Sequence, residues 1–230
     1  MTLRCLVTGA TGYVGGRLVR ELVARGRSVR VLARSPEKMR DSPWADQIEV
    51  VAGDASNSDD LTRAMENIDV AYYLMHSLQE GSNLEEAEIH MARTFAAAAG
   101  ESSLRRIVYL GGLAPDVPER DMSPHMRSRV RVGKILRESG VPTVEFRAAV
   151  IIGSGSASFE MLRYLTERLP AMITPRWVRT KTQPIAVRDV LRYLVMAADL
   201  PPHVNREFDI GGPEILTYEQ MMHRYAAVAG

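Results

Sequence analysis

The feature that most restricts the fold of this chain is a glycine-rich turn between an apolar strand and an amphipathic helix. Residues 3–7 form the apolar run, glycines follow with the spacing G-x-x-G-x-x-G at positions 9, 12 and 15, and apolar residues recur at helical spacing over 13–25. In this setting the glycines permit a tight turn, close approach of a pyrophosphate and close helix packing. The helix start offers N–H groups and a positive dipole end to phosphates. The turn therefore predicts dinucleotide binding; the alternative is a structural turn in an α/β protein without a ligand.

Strands and helices are predicted to alternate along the first two thirds of the chain. The predicted strands are 3–7, 29–33, 48–52, 70–74, 107–110 and 143–146, and the predicted helices are 13–25, 58–67, 84–99 and 124–139. Such alternation favours an α/β fold with a doubly wound, mostly parallel Rossmann-like sheet, which we assign to residues 1–150.

The remaining residues, 151–230, are predicted to form a small C-terminal cap region of the same domain on the substrate side. It contains helices at 156–169, 187–198 and 217–229, a loop at 171–184 and a strand at 207–210. Because the last helix runs almost to residue 230, a truncated substrate-side region is an open alternative.

The turn and the end of the second strand supply most of the predicted cofactor contacts. The turn residues are Gly9, Thr11, Gly12, Tyr13, Val14 and Gly15. NAD-selective folds carry Asp or Glu at the end of the second strand to bind the ribose 2′-hydroxyl. Here Arg34 occupies that place, followed by Ser35 and Lys38. Since a guanidinium matches a 2′-phosphate bidentately, the sequence predicts NADP in preference to NAD. The alternative is that Arg34 is a solvated surface residue.

Two further strand ends are predicted to border the cofactor. Asp54, followed by Ala55, ends the third strand, where its carboxylate either accepts from the adenine amino group or caps the helix that begins near residue 58. Leu74, Met75 and His76 follow the fourth strand, at the edge where doubly wound folds bind ligands. They are predicted to line the nicotinamide side; a loop histidine without such a role is the alternative for His76.

These motifs resemble those of the atypical short-chain dehydrogenase/reductases, in particular the NmrA-like NAD(P)H-binding proteins and the NAD(P)H-binding accessory subunit of respiratory complex I. The matching segments are 6–15, 31–36, 53–54, 106–110, 136–143 and 183–190. The resemblance implies NAD(P)H binding and oxidoreductase activity on a small apolar or quinone-like substrate.

The chain departs from that family at the catalytic motif. Active members carry a Ser after the fifth strand and Tyr-x-x-x-Lys on the following helix. Counting back from residues 139–140, the Tyr place falls on His125, the Lys place on Arg129 and the Ser place within 111–112, which are both glycine. His125 and Arg129 share a helix face, and the cation favours a neutral imidazole. His125 is thus the candidate acid or base, and Arg129 the candidate ribose contact. The alternative is a non-catalytic NADPH-binding redox sensor or assembly module.

Composition limits the other functions. The 29 basic and 28 acidic residues leave a net charge of +1, which gives no indication of nucleic acid binding. Cys5 is the single cysteine and the histidines have no metal-ligand spacing, so no metal site is expected. Without a signal peptide or a bilayer-spanning run, the expected location is cytoplasmic. The basic group of Arg176, Trp177, Arg179 and Lys181 reads as a solvated loop; the alternative is a site for an anionic substrate or a lipid headgroup in peripheral membrane contact.

Overall fold

The computed structural model describes residues 2–75, 84–168 and 176–229. The chain divides into two compact units, one formed by Met1–Arg147 with Leu191–Phe208 and the other by Ala148–Val190 with Asp209–Gly230. The division predicted at residue 150 assigned all of 151–230 to the C-terminal region. Residues 191–208 instead belong to the first unit, because the strand that begins at Arg206 extends the large sheet.

The described residues contain seven helices and eleven strands, in addition to short 3-10 turns. In chain order these are β1 Arg4–Thr8, α1 Tyr13–Ala24, β2 Ser28–Ala33, β3 Glu49–Ala52, α2 Ser58–Met65, β4 Val70–Tyr73, α3 Leu84–Glu101, β5 Arg106–Gly112, α4 Pro124–Arg137, β6 Thr143–Ala148, β7 Ile151–Ile152, α5 Ala157–Arg168, β8 Lys181–Thr182, β9 Ile185–Ala186, α6 Val187–Ala197, β10 Arg206–Ile210, β11 Leu216–Thr217 and α7 Tyr218–Ala229.

A seven-stranded sheet forms the centre of the first unit. Its strand order is β10-β6-β5-β4-β1-β2-β3. Strand β1 pairs in parallel with both β2 and β4, and β2–β3 and β4–β5 are also parallel. This arrangement confirms the predicted Rossmann-like α/β fold. The chain order changes direction between β1 and β4, so the carboxyl ends of these two strands border the crevice where such folds bind ligands.

Helices α2, α3 and α4 cover one face of this sheet with an apolar core. Leu6, Tyr73 and Tyr109 of the sheet pack there with helix residues such as Phe95 and Leu136. The Tyr73 ring meets Phe95 and Tyr109 edge-on, at centroid distances of 5.0 and 5.8 Å. Both faces of β4 are buried, which explains its short, continuously apolar sequence.

The second unit has its own small core. Leu162, Val178, Met221 and Met222 are buried there, and two short strand pairs, β7–β9 and β8–β11, lie in the same unit. The prediction of a continuous loop over 171–184 is wrong at two places. Arg176–Arg179 form a 3-10 turn, and β8 pairs with β11. A two-residue strand is too short to show a periodic pattern. Among the described residues, no helix is both long and apolar enough to cross a bilayer.

A buried carboxylate lies between β5, β6 and α4. Glu145 of β6 is 2% exposed and pairs with Arg137 of α4. A Cβ added at Gly133 of α4 would lie 2.3 Å from a Glu145 carboxylate oxygen, and one added at Gly111 of β5 would lie 2.8 Å away. Glycine at both positions therefore provides the space that this charged group occupies.

Replacement of Gly133 by alanine tests this packing. In an exposed helix interior, Gly→Ala stabilises by about 1 kcal/mol. Here Gly133→Ala is expected to destabilise the protein by about 1–3 kcal/mol, because the new methyl group meets the Glu145 carboxylate. Urea unfolding measures the change, with Lys134→Ala on the exposed side of α4 as the control. A stabilised Gly133→Ala protein would show that the carboxylate lies elsewhere.

Candidate functional site

The glycine turn brings three pieces of backbone into close contact. Gly9 has φ +77°, and a Cβ at this position would lie 2.6 Å from the carbonyl oxygen of Leu74, just after β4. A Cβ at Gly15 in α1 would lie 2.2 Å from the carbonyl oxygen of Gly9. Neither position has space for a side chain, so the start of α1 packs directly against the carboxyl ends of β1 and β4.

The start of α1 is open to an anion. Gly12 is the N-cap residue, no side chain caps the helix, and the first turn carries no acidic residue. The backbone N–H groups of this turn and the positive dipole end are therefore available to phosphate oxygens. Of the predicted contacts, Thr11 and Gly12 are exposed, Val14 is half-buried and Gly15 is buried.

Tyr13 adds an unsatisfied polar group beside the turn. The guanidinium carbon of Arg17 lies 4.0 Å from the centroid of the Tyr13 ring. The Tyr13 hydroxyl is buried and has no hydrogen-bond partner among the described residues. A buried hydroxyl is normally hydrogen-bonded, so this one fits a ligand or a water molecule that supplies the partner.

The ends of β2 and β3 lie side by side and bring together the predicted adenosine-side residues. Ala33, the last residue of β2, pairs with Ala52, the last residue of β3. Arg34 follows Ala33 directly, and Asp54 comes two residues after Ala52. Arg34 and Lys38 are exposed, and Ser35 is half-buried. Hydrogen bonds from the N–H and the hydroxyl of Ser56 lower the pKa of the Asp54 carboxyl below its usual value. Burial raises the same pKa, and the positive charge of Arg34 lowers it further.

The helix-capping role considered for Asp54 is wrong. The N-cap residue of α2 is Asn57, whose side-chain oxygen accepts from the N–H of Asp60 at 3.1 Å. Asp54 instead accepts from Ser56 within the preceding turn, at 2.8 Å from each donor. Ala55, next to it, is buried. The capping signal was ambiguous because Asn57 is an equally good cap and stands one residue before the helix.

The fourth strand end is described only in part. Leu74 is buried, and its carbonyl group contacts Gly9, while Met75 packs against the main core. His76 lies outside the described residues. In the second unit, Arg179 and Lys181 are exposed. Within the described parts of the chain, no three His, Cys, Asp or Glu side chains are grouped as metal ligands.

The end of β5 faces the residues of α4 that the resemblance predicts at the family's catalytic places. A Cβ at Gly112 would lie 3.3 Å from the sulfur of Met126 and 3.6 Å from Cγ of Arg129. Arg129 is 8% exposed, and its carbonyl oxygen accepts from the Tyr109 hydroxyl at 3.4 Å. The structure thus brings Gly112 next to Arg129, the residues predicted at the Ser and Lys places.

His125 lies at the exposed start of α4, one turn before Arg129. Partial burial of the ring, followed by the Arg129 charge, lowers the pKa of His125, while Glu88 opposes both. The prediction from the sequence that the Arg129 cation favours a neutral imidazole agrees with this lowered pKa. The imidazole is therefore neutral near pH 7 and able to accept a proton.

Glu88 and Ser128 are neighbours of this site that the sequence interpretation missed. Glu88 on α3 is 5% exposed and accepts a hydrogen bond from the Ser128 hydroxyl on α4. In the sequence, Glu88 stands close to Glu85, and such a pattern is typical of a solvated acidic helix face. The signal that could have identified it is the helical spacing from Glu88 to Ala92 and Phe95. This spacing places the Glu88 carboxylate on the buried side of α3.

Comparison with known proteins identifies the family. Residues 9–151 match the model of a family described as NAD(P)H-binding, and the chain belongs to this family. This confirms the resemblance to atypical short-chain dehydrogenase/reductases and assigns a nicotinamide dinucleotide as the cofactor class.

Three known proteins are similar to this chain. The chain is 28% identical to a (4-alkanoyl-5-oxo-2,5-dihydrofuran-3-yl)methyl phosphate reductase of Streptomyces griseus, over 98% of this chain and 73% of that protein. It is 25% identical to subunit 9 of the NADH dehydrogenase (ubiquinone) 1 alpha subcomplex of Arabidopsis thaliana, a mitochondrial protein, over 94% of this chain and 55% of that one. A short-chain dehydrogenase/reductase superfamily protein of Agrobacterium tumefaciens, solved with bound NAD, has the same fold, with TM-score 0.77, 19% identity and coverage of 99% and 83%. The chain thus spans about half the length of the mitochondrial relative.

The electrostatic coupling between Arg129 and His125 gives a direct test of this geometry. Arg129→Gln is expected to raise the pKa of His125 towards its ordinary value, because it removes the nearby cation, and Glu88→Gln is expected to lower it. Ring resonances followed by NMR over a pH series measure both. Arg127→Gln is the control, because Arg127 pairs with Glu85. An unchanged His125 pKa in Arg129→Gln would contradict the arrangement.

Proposed function

We propose that this chain is an NADP-preferring oxidoreductase with an altered catalytic site, acting on a small apolar or quinone-like substrate. The observation that carries the proposal is the uncapped start of α1 inside a glycine cradle, where a side chain at Gly9 or Gly15 would clash with backbone. The residues present fit a dinucleotide: the turn receives the pyrophosphate, and the neighbouring strand ends receive its two nucleosides. The bound cofactor supplies the hydride.

The preference for NADP rests on the charge at the end of β2. Arg34 and Lys38 are exposed there, and no carboxylate ends the strand. A guanidinium and an ammonium match a 2′-phosphate, whereas a ribose 2′-hydroxyl requires an acceptor. Asp54, ionised and close to Arg34, provides an acceptor for the adenine amino group.

The proposed chemistry uses His125 and Arg129. When a carbonyl is reduced, the carbon gains a hydride and the oxygen gains a proton from the His125 imidazolium, which yields an alcohol. In the reverse direction the neutral imidazole accepts the hydroxyl proton. Because the His125 pKa is lowered, reduction is favoured by lower pH and oxidation by neutral pH. Arg129 holds the ribose or a phosphate through its guanidinium, which remains charged.

The second candidate function is a non-catalytic NADPH-binding redox sensor or assembly module. It is favoured by Gly112 at the Ser place and by the absence of Tyr and Lys at the two α4 places. The similarity to a subunit of a respiratory complex supports the same alternative. A cytoplasmic location, and contact of the exposed Arg179 and Lys181 with an anionic substrate or a lipid headgroup, stay predictions.

Arg34→Ala tests the coenzyme preference. It is expected to weaken NADPH binding by about 10- to 100-fold, the loss that removal of charge-assisted hydrogen bonds produces. NADH affinity is expected to stay the same, since NADH has no 2′-phosphate. Calorimetric titration measures both. Arg40→Ala, at an exposed arginine near the same loop, is the matched control. Equal weakening by the two variants would contradict a specific role for Arg34.

His125→Ala separates the enzyme from the non-catalytic module. For an enzyme, substrate-dependent NADPH oxidation is expected to fall by about 10²–10⁴-fold, the usual contribution of a general acid, with NADPH affinity retained. Absorbance at the reduced nicotinamide band, followed with a panel of quinones and carbonyl compounds, measures the rate. His90→Ala, at an exposed histidine on α3, is the control. Tight NADPH binding without oxidation by any compound would favour the module.

A further inference from the structure

The carboxyl end of β5 and the residues just after it carry no polar side chain. Residues 110–115 have the sequence Leu-Gly-Gly-Leu-Ala-Pro, and Gly112, Leu113 and Ala114 are half-buried. Because β5 pairs in parallel with β4, these residues lie at the carboxyl edge of the sheet, where open α/β sheets bind ligands. A ligand at this strand end therefore meets apolar side chains and backbone.

The thioether of Met126 fills the space above Gly112. A Cβ added at Gly112 would lie 3.3 Å from both the sulfur and the methyl carbon of Met126, and 3.6 Å from Cγ of Arg129. Met126 stands in the first turn of α4, where its N–H donates to the Ser123 hydroxyl at 3.2 Å. The residue is half-buried, so part of its surface is accessible. We define the apolar rim as Gly112, Leu113, Ala114 and Met126.

The apolar rim is adjacent to the candidate acid. Arg129 lies three residues after Met126 and four after His125, and residues at these spacings are neighbours on one side of a helix. Met126 and Arg129 both approach Gly112, and His125 is exposed at the start of the same helix. A substrate that reaches the His125 imidazole therefore also meets the Met126 thioether.

The chemistry of the rim restricts the substrate that the proposed reaction accepts. Hydride addition to an isolated carbonyl produces an alkoxide, which active sites stabilise with hydrogen-bond donors aimed at the developing charge. A thioether has no proton to donate, and neither has any other side chain of the rim. Hydride addition to a quinone instead produces a phenolate-type anion, which is as weakly basic as that of tyrosine. Sulfur also makes favourable contacts with aromatic rings.

We propose that Met126 determines the substrate class of this site, and that the apolar rim binds the flat face of a quinone-type ring. This assignment rests on the proposed oxidoreductase function and narrows its substrate to conjugated ring diketones. The quinone gains a hydride and one proton and becomes the hydroquinone, while the reduced nicotinamide is oxidised. The proton comes from the His125 imidazolium, which regains one from water. Hydroxyl-rich carbonyl compounds bind poorly, because their hydroxyl groups would lose water at the rim without gaining a partner.

Methyl NMR of the whole chain tests the contact without turnover. The methionine methyl groups are isotopically labelled, and menadione, a methylnaphthoquinone, is titrated in the presence of NADP, which has no hydride to transfer. The Met126 resonance, identified by its loss in Met126→Leu, is expected to shift saturably. Met65, which is 1% exposed, and Met196, which is 64% exposed on α6, are internal controls expected to stay unchanged. Dihydroxyacetone, a carbonyl compound flanked by hydroxyl groups, is expected to leave Met126 unchanged.

Substitution at Met126 separates the apolar contact from simple packing. Met126→Gln keeps the length of the side chain but places an amide on the rim, so the KM for menadione is expected to rise by roughly 10-fold or more. Met126→Leu keeps an apolar surface and is expected to cause a smaller rise. Met196→Gln, the same substitution on α6, is the matched control and is expected to leave KM unchanged. Retained NADPH affinity shows that each variant is folded.

Calorimetry with NADPH distinguishes this assignment from the function on which it rests. Absence of NADPH binding by the unmodified chain would overturn the proposed function and the assignment with it. NADPH binding together with a Met126 resonance that does not respond to menadione would overturn the assignment alone. An equal Met126 shift with dihydroxyacetone, equal KM values in Met126→Gln and Met196→Gln, or no menadione-dependent NADPH oxidation would do the same.

Discussion

The rest of the site depends on backbone packing against backbone at Gly9, Gly15 and Leu74. A side chain at either glycine would lie 2.2–2.6 Å from a carbonyl oxygen, so only glycine lets α1 begin this close to the ends of β1 and β4. The contact directs an uncapped helix start to the place where the strand order changes direction. One steric constraint therefore produces both the local fold and a site with a positive potential for phosphate oxygens.

Buried ionic and polar contacts hold helix α4, which carries His125 and Arg129. The Glu145–Arg137 pair joins α4 to β6, and the Ser128–Glu88 hydrogen bond joins α4 to α3. Buried charges are costly unless they are paired, so these contacts restrict the position of α4 more than apolar packing alone would. The position of Arg129 at the end of β5, and of His125 one turn before it on α4, follows from that restriction.

The sequence predicts the sheet, its helices and the glycine turn well, because each has a local signal: continuous apolar strands, helical periodicity and spaced glycines. It fails where the outcome depends on distant partners. Lys181 and Thr182 form a strand only by pairing with β11. The cap of α2 is a different case, because Asn57 and Asp54 are both good local caps and Asn57 takes the role. The burial of Glu88 depends on Ser128 of α4, which lies 40 residues away, and the burial of Glu145 depends on Arg137 and on the space at Gly111 and Gly133. The choice between NADP and NAD stays a prediction because it depends on a ligand contact at Arg34.

The central claim is that the turn at Gly9–Gly15 binds a nicotinamide dinucleotide at the start of α1. Calorimetric titration of the whole chain with NADPH and NADH tests it most directly. The account predicts saturable binding at one site per chain, tighter for NADPH than for NADH. Absence of binding by both coenzymes would contradict it and would leave the glycine turn as a structural element only.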